Sequence, residues 1–93
     1  MILSSKGAEK RLTFSVAPKY PVEALPGKTE GTVVLKAVVD DSGKIDGVRL
    51  VEGNATLATA AIQAVKQWRY RPYLRDGKAQ AFQTVVIVDF QRP

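Results

Sequence analysis

The chain has 93 residues, a formal net charge of +5, and neither cysteine nor histidine. A chain of this size makes one domain that buries only about 60% of its unfolded surface. The missing residue types exclude disulfide staples, thiolate chemistry and imidazole–zinc sites, and they remove the commonest general base.

The hydrophobic share of 45% and the charged share of 25% are ordinary for a globular domain. No apolar run approaches the ~20 residues that a membrane helix needs. Met1-Ile2-Leu3 is too short to be the core of a signal peptide.

In chain order, residues 1–17 read as a flexible, polar start. Leu12, Phe14 and Val16 alternate there with Arg11, Thr13 and Ser15, a pattern that fits a short extra strand. Residues 18–93 read as the domain proper. Pro18, Pro21 and Pro26 break regular structure, and Pro21 is preset to open one helical turn over 22–25.

Residues 31–40 form the best strand, rich in valine. Val33, Leu35, Ala37 and Val39 share one face, and Val34, Lys36 and Val38 the other. Two apolar faces imply a central strand. Asp40-Asp41-Ser42-Gly43 is a hairpin connection, with Gly43 available for a positive φ. In the next strand, 44–52, Ile45, Val48 and Leu50 are spaced three then two. A bulge near Asp46-Gly47 is needed to bring all three to one face.

Asn54 or Thr56 caps a helix over 57–70, whose Leu57, Ala61, Ala64, Val65 and Trp68 recur at helical spacing. Lys66 and Arg69 suit its last turn, and Pro72 stops it. Trp68 continues the apolar stripe into the core, and Tyr70 at the helix end keeps its hydroxyl wet. Arg75-Asp76-Gly77-Lys78 is the turn of a small hairpin. The last strand spans 82–90, with Phe82, Thr84, Val86, Val88 and Phe90 on one stripe, and Arg92-Pro93 ends the chain.

The fold class is α+β: a small antiparallel three-stranded sheet in β-β-α-β order, with one long helix on one face and room for an N-terminal strand or a small hairpin. The crossover leaves strand 82–90 at a sheet edge. Such an edge has unpaired N–H and C=O groups and can accept an extended peptide.

Other chemistry finds little footing. Asp40, Asp41 and Asp46 lack the order and the later glutamate of a calcium loop. Ser4, Ser5, Ser15 and Ser42 have no histidine to activate them. The chain reads as a non-enzyme without cofactor or metal. The positive excess gathers at Lys66, Arg69, Arg71, Arg75 and Lys78, opposed only by Asp76. It suits an acidic partner or a solvated face.

Trp68-Arg69-Tyr70-Arg71-Pro72, the last strand, the Tyr20-Pro21 pair and the strand start Gly31-Thr32-Val33-Val34 occur in an order that resembles the TonB C-terminal domain family. The matching segment runs from about residue 17 to 93. The resemblance implies a periplasmic, energy-transducing binding module, part of a longer protein anchored to the inner membrane and coupled to a proton-driven motor complex.

Its partner would be the N-terminal box segment of an outer-membrane TonB-dependent transporter, added as a strand. Carried onto this sequence, the partner-binding residues are Gln83, Thr84, Val85, Val86, Ile87, Val88 and Asp89, with Arg69, Tyr70, Arg71, Tyr20 and Pro21 as further contacts. The sequence departs from the family pattern at Leu25-Pro26-Gly27-Lys28-Thr29-Glu30 and at Glu52-Gly53-Asn54, both in loops. Three alternatives stand beside this reading. They are nucleic-acid binding by the basic cluster, self-association as a strand-exchanged homodimer, and an envelope adaptor or peptidoglycan-binding role.

Overall fold

The computed structural model describes residues 1–24, 26–27 and 29–91. Strands β1 (Ile2–Leu3), β3 (Gly31–Val39), β4 (Ile45–Glu52) and β8 (Phe82–Phe90) form one sheet in the order β1-β8-β3-β4. Helix α2 (Ala55–Val65) covers one face. Helix α1 (Ser5–Glu9) and strand β2 (Leu12–Phe14) precede a single 3-10 turn at Val22–Ala24. Strand β5 (Arg69–Tyr70) pairs with β2, and β6 (Tyr73–Arg75) with β7 (Lys78–Gln80).

The central position of β3 follows from its two apolar faces. It is paired antiparallel to β4 on one side and to β8 on the other. Val33, Leu35, Ala37 and Val39 are fully buried beneath α2 and its surroundings, together with Leu57, Ala61 and Val65 of the helix. On β8 the even-numbered residues Phe82 to Phe90 are buried, while Val85, Ile87 and Asp89 are exposed on the opposite face. Alternation along a pleated strand produces this division.

Strand β4 carries the expected bulge. Val38 pairs with Gly47 and Val39 with Ile45, so Asp46 is the extra residue. The kink sets Ile45, Val48 and Leu50 opposite the buried Val39, Ala37 and Leu35. A second irregularity leaves Val51 unpaired and exposed.

Several expectations need correction. The helix is shorter than its apolar spacing suggested. Of the two expected caps, Asn54 rather than Thr56 serves, its Oδ1 accepting from the amides of Thr56 and Leu57 at 2.9 and 3.1 Å, so the helix begins at Ala55. It ends at Val65 with Lys66 as C-cap, so no basic residue lies in its last turn. Residues Arg69 and Tyr70 are extended instead. Their backbone bonds to β2 and to the hairpin turn outweigh a continued helix, and Pro72 already disfavours one.

The leading residues are not featureless: they carry β1, α1 and β2. The sheet is therefore four-stranded and mixed, because β1 runs parallel to β8. The turn opened by Pro21 is present over Val22–Ala24. Leu25 and Lys28 in the Pro-Gly segment, and the terminal Arg92 and Pro93, lie outside the described residues.

The small hairpin is as its turn residues dictate. Asp76 and Gly77 both take positive φ, 52° and 77°, the geometry of a two-residue turn that Asp-Gly favours. Tyr73 at its base leans on Phe82, 6.3 Å between ring centroids, and lies under the Arg11 guanidinium at 4.7 Å.

Candidate functional site: the outer edge of the last strand

Pairing to β3 occupies one edge of β8 along its whole length, from Phe82–Val39 to Phe90–Gly31. The outer edge is only partly used. Ile2 and Leu3 of β1 pair with Gln83 and Thr84, and the Gln83 amide donates to the Met1 carbonyl at 2.8 Å. Thr84 is buried, and its hydroxyl donates to the Ser4 carbonyl at 3.3 Å. The expectation that the last strand is outermost therefore holds beyond Thr84 and fails at Gln83 and Thr84.

The direction of the remaining groups follows from the ladder. In an antiparallel pair a residue's N–H and C=O point to the same side, and successive residues alternate. Gln83 points its amide outward to Met1, and the β3 register is unbroken. Val85, Ile87 and Asp89 therefore aim their N–H and C=O outward as well. No strand among the described residues pairs with them. Val86 and Val88 turn theirs inward to β3.

One flank of this edge is a cleft lined by Ser5, Glu9, Leu12, Trp68, Tyr70 and 85–87. Trp68 is half-buried between the two apolar clusters, and its indole N–H donates to the Val16 carbonyl at 2.9 Å. Tyr70 is buried rather than perched on a helix end, with its ring edge-on to Phe82 at 5.7 Å. Among the described residues its hydroxyl has no hydrogen-bond partner, and no buried side-chain oxygen or nitrogen lacks one. The hydroxyl therefore keeps access to the cleft.

Burial, and secondarily the Glu9 charge, raise the Tyr70 pKa above 10.0. The unfolded chain ionises this phenol first, so its contribution to stability is complete below pH 10 and shrinks as pH climbs toward the native pKa. We expect the unfolding free energy from urea titrations to fall above pH 10, by at most about 1.4 kcal/mol per pH unit from this one group. The Tyr70→Phe variant should lack that component of the slope, and equal slopes for both proteins would contradict it.

The other sequence candidates lie elsewhere. The Tyr20 hydroxyl bonds to the carbonyls of Thr29 and Ala24 at 2.7 and 3.2 Å, tying down the loop that follows Pro21. The Arg69 guanidinium donates to the Trp68 carbonyl at 2.8 Å. Arg71 donates from its backbone to the Arg11 carbonyl and from its guanidinium to the Lys10 carbonyl, 2.6 and 2.9 Å.

The basic cluster is spread over the C-cap of α2 (Lys66), β5 (Arg69), the segment after it (Arg71), β6 (Arg75) and β7 (Lys78). Arg71 instead joins Lys10 and Arg11 along an open groove with Gly7, Pro72 and Leu74. Glu9 and Leu12 are cleft residues that the sequence did not single out. Leu12 was legible only as part of an alternating segment; its place in the cleft depends on the pairing of β2 with β5, and that of Glu9 on the packing of α1 against β8. Among the described residues no group of acidic side chains could hold a metal. No helix among them is long and apolar enough to cross a membrane.

A helix laid on a mixed sheet whose last strand keeps part of its outer edge open defines a small α+β domain. Residues 16–91 match the family described as Gram-negative bacterial TonB protein C-terminal. The chain belongs to that family.

It is 36% identical over 77 residues to Protein tonB2 of Pseudomonas aeruginosa, covering 81% of this chain and 28% of that protein. It is 31% identical over 82 residues to Protein TonB of Vibrio cholerae, covering 86% and 34%. The chain thus spans about a third or less of these relatives. The solution NMR structure of the Pseudomonas aeruginosa TonB CTD superposes with a TM-score of 0.71 at 25% identity, covering 87% of this chain and 84% of that one. The tonb2 protein from Vibrio anguillarum gives 0.63 at 34% identity, covering 86% and 78%.

Proposed function

We propose that this domain is the periplasmic end of an energy transducer and captures the N-terminal box segment of an outer-membrane TonB-dependent transporter as an added strand on β8. In a longer protein an inner-membrane anchor coupled to a proton-driven motor complex would supply the pull. The observation that carries the reading is the outer edge of β8. It already holds one short backbone in register at Gln83 and Thr84, and beyond them the outward main-chain groups of Val85, Ile87 and Asp89 meet no strand among the described residues.

Each hydrogen bond formed there nets about 0.5–1.5 kcal/mol. Several such bonds, less the cost of ordering the peptide, give micromolar, reversible binding. No catalytic arrangement enters this reading. In this reading Tyr20 also supports the loop after Pro21, and β1 holds Gln83 and Thr84 until it is displaced.

Amide NMR titration with synthetic transporter N-terminal peptides tests the proposal. Perturbations should centre on 85–89 and on Tyr70 and Trp68 beside them, and change little with salt. Removing residues 1–3 should extend them to Gln83 and Thr84, because β1 no longer occupies that register. Perturbations centred on 66–78 with an oligonucleotide, weakening steeply with salt, would replace this reading with nucleic-acid binding. Concentration-dependent mass with peptide excluded from β8 would replace it with a strand-exchanged homodimer.

A further inference from the structure

The cleft beside the free half of β8 has a volume of about 170 Å³. A cavity of ~150 Å³ with apolar walls accepts a group the size of benzene, so this one has room for a single long side chain. Its walls are Leu12, Trp68, Tyr70 and Val86, and α1 contributes Ser5 and Glu9. Glu9 is exposed and has no ion pair or side-chain hydrogen bond among the described residues. Its charge is felt in the cleft, where it disfavours ionisation of Tyr70.

Geometry fixes which ligand residue meets this cleft. Paired residues on neighbouring strands project to the same face of a sheet. Val86 faces the helix side and lines the cleft, whereas Val85 and Ile87 also project to the open face. A segment laid along β8 therefore sends the side chain opposite Val86 toward Leu12, Trp68 and Glu9, and its neighbours to solvent.

We infer that the added segment is read at this one position, where the cleft takes an aliphatic stem and Glu9 selects a cationic head, lysine or arginine over an acid. The inference rests on the strand addition proposed above. Long basic side chains suit such a site because their stems pack on apolar walls while the charged head stays near water. Glu9 then acts as a specificity residue that leaves the main-chain pairing untouched.

The test uses peptides that bind in the NMR titration, with lysine, leucine or glutamate placed in turn at consecutive positions. Calorimetric titration of the wild-type chain should show one position at which lysine exceeds glutamate by roughly three- to fivefold, the size of a partly exposed ion pair. In Glu9→Gln that ratio should fall to nearly one, with the leucine peptide bound as tightly as before. Equal binding of the lysine and glutamate peptides at every position, or a preference unchanged in Glu9→Gln, would overturn the inference. Either result leaves strand addition standing, whereas strand addition itself fails if no peptide perturbs 85–89.

Discussion

Ile87→Pro should reduce segment binding by more than about tenfold while leaving the domain folded. Proline has no amide hydrogen and is tolerated on an edge strand only where that hydrogen faced solvent. At Ile87 the lost donor points outward, because Gln83 of the same parity donates to Met1 rather than to β3. The ladder to Val34 and its neighbours therefore loses no bond. An incoming strand loses a central donor and meets a ring where its own backbone should lie, worth at least ~1.4 kcal/mol.

Val86→Pro supplies the contrast. Its amide points to β3, so the same change there removes a bond from the central ladder and should unfold the domain. Binding measured against thermal unfolding for both variants checks the argument. Ile87→Pro binding a peptide as well as the parent chain would show that the outer edge of β8 is not the docking strand.

Gly43→Ala should cost roughly 3–5 kcal/mol and in a domain of this size prevent folding. Two independent constraints meet at this turn. Gly43 has φ of 89°, and a methyl group there would lie 1.9 Å from the Tyr70 carbonyl oxygen, with no flexible side chain to move aside. Gly43 and Tyr70 are bonded, the Tyr70 amide donating to the Gly43 carbonyl at 2.9 Å.

Gly77 isolates the conformational part of the effect. Its φ is 77° and nothing lies within 4 Å of an added methyl. Gly77→Ala should cost only the left-handed strain, about 1–2 kcal/mol. Equal unfolding free energies for the two variants would mean that close approach to Tyr70 contributes nothing.

That Gly43 needs a positive φ was legible from Asp40-Asp41-Ser42-Gly43, because turn chemistry is local. The Asp40 carboxylate confirms the turn, accepting from the Ser42 hydroxyl and from the amides of Ser42 and Lys44. Those bonds, the Ser42 side chain first, hold its pKa below the ordinary value. That Tyr70 would press on the same glycine depended on chain 27 residues away, and no local pattern carries that.

The alternation on β3 and β8, the bulge forced by Ile45, Val48 and Leu50, the Asn54 cap and the Asp-Gly hairpin were all written in residue order. Each is set by side-chain period or by backbone preferences within a few residues. The long helix reading failed at the point where a local rule met a tertiary one. Trp68 keeps helical spacing, yet the backbone of Arg69 and Tyr70 just after it is captured by β2 and by the turn at Gly43.

By itself the sequence determined that this is an α+β domain with a central strand at about 31–40, a single major helix and an apolar last strand, and its ordered motifs carried the family. Only the tertiary structure decided how much of that last strand is free. Pairing of β1 with Gln83 and Thr84, and the delivery of Glu9 and Leu12 to the remaining edge, join residues some 60 to 80 positions apart. Such contacts are chosen by the packing of whole faces rather than by the period of any one segment, so they became visible only once the chain was folded.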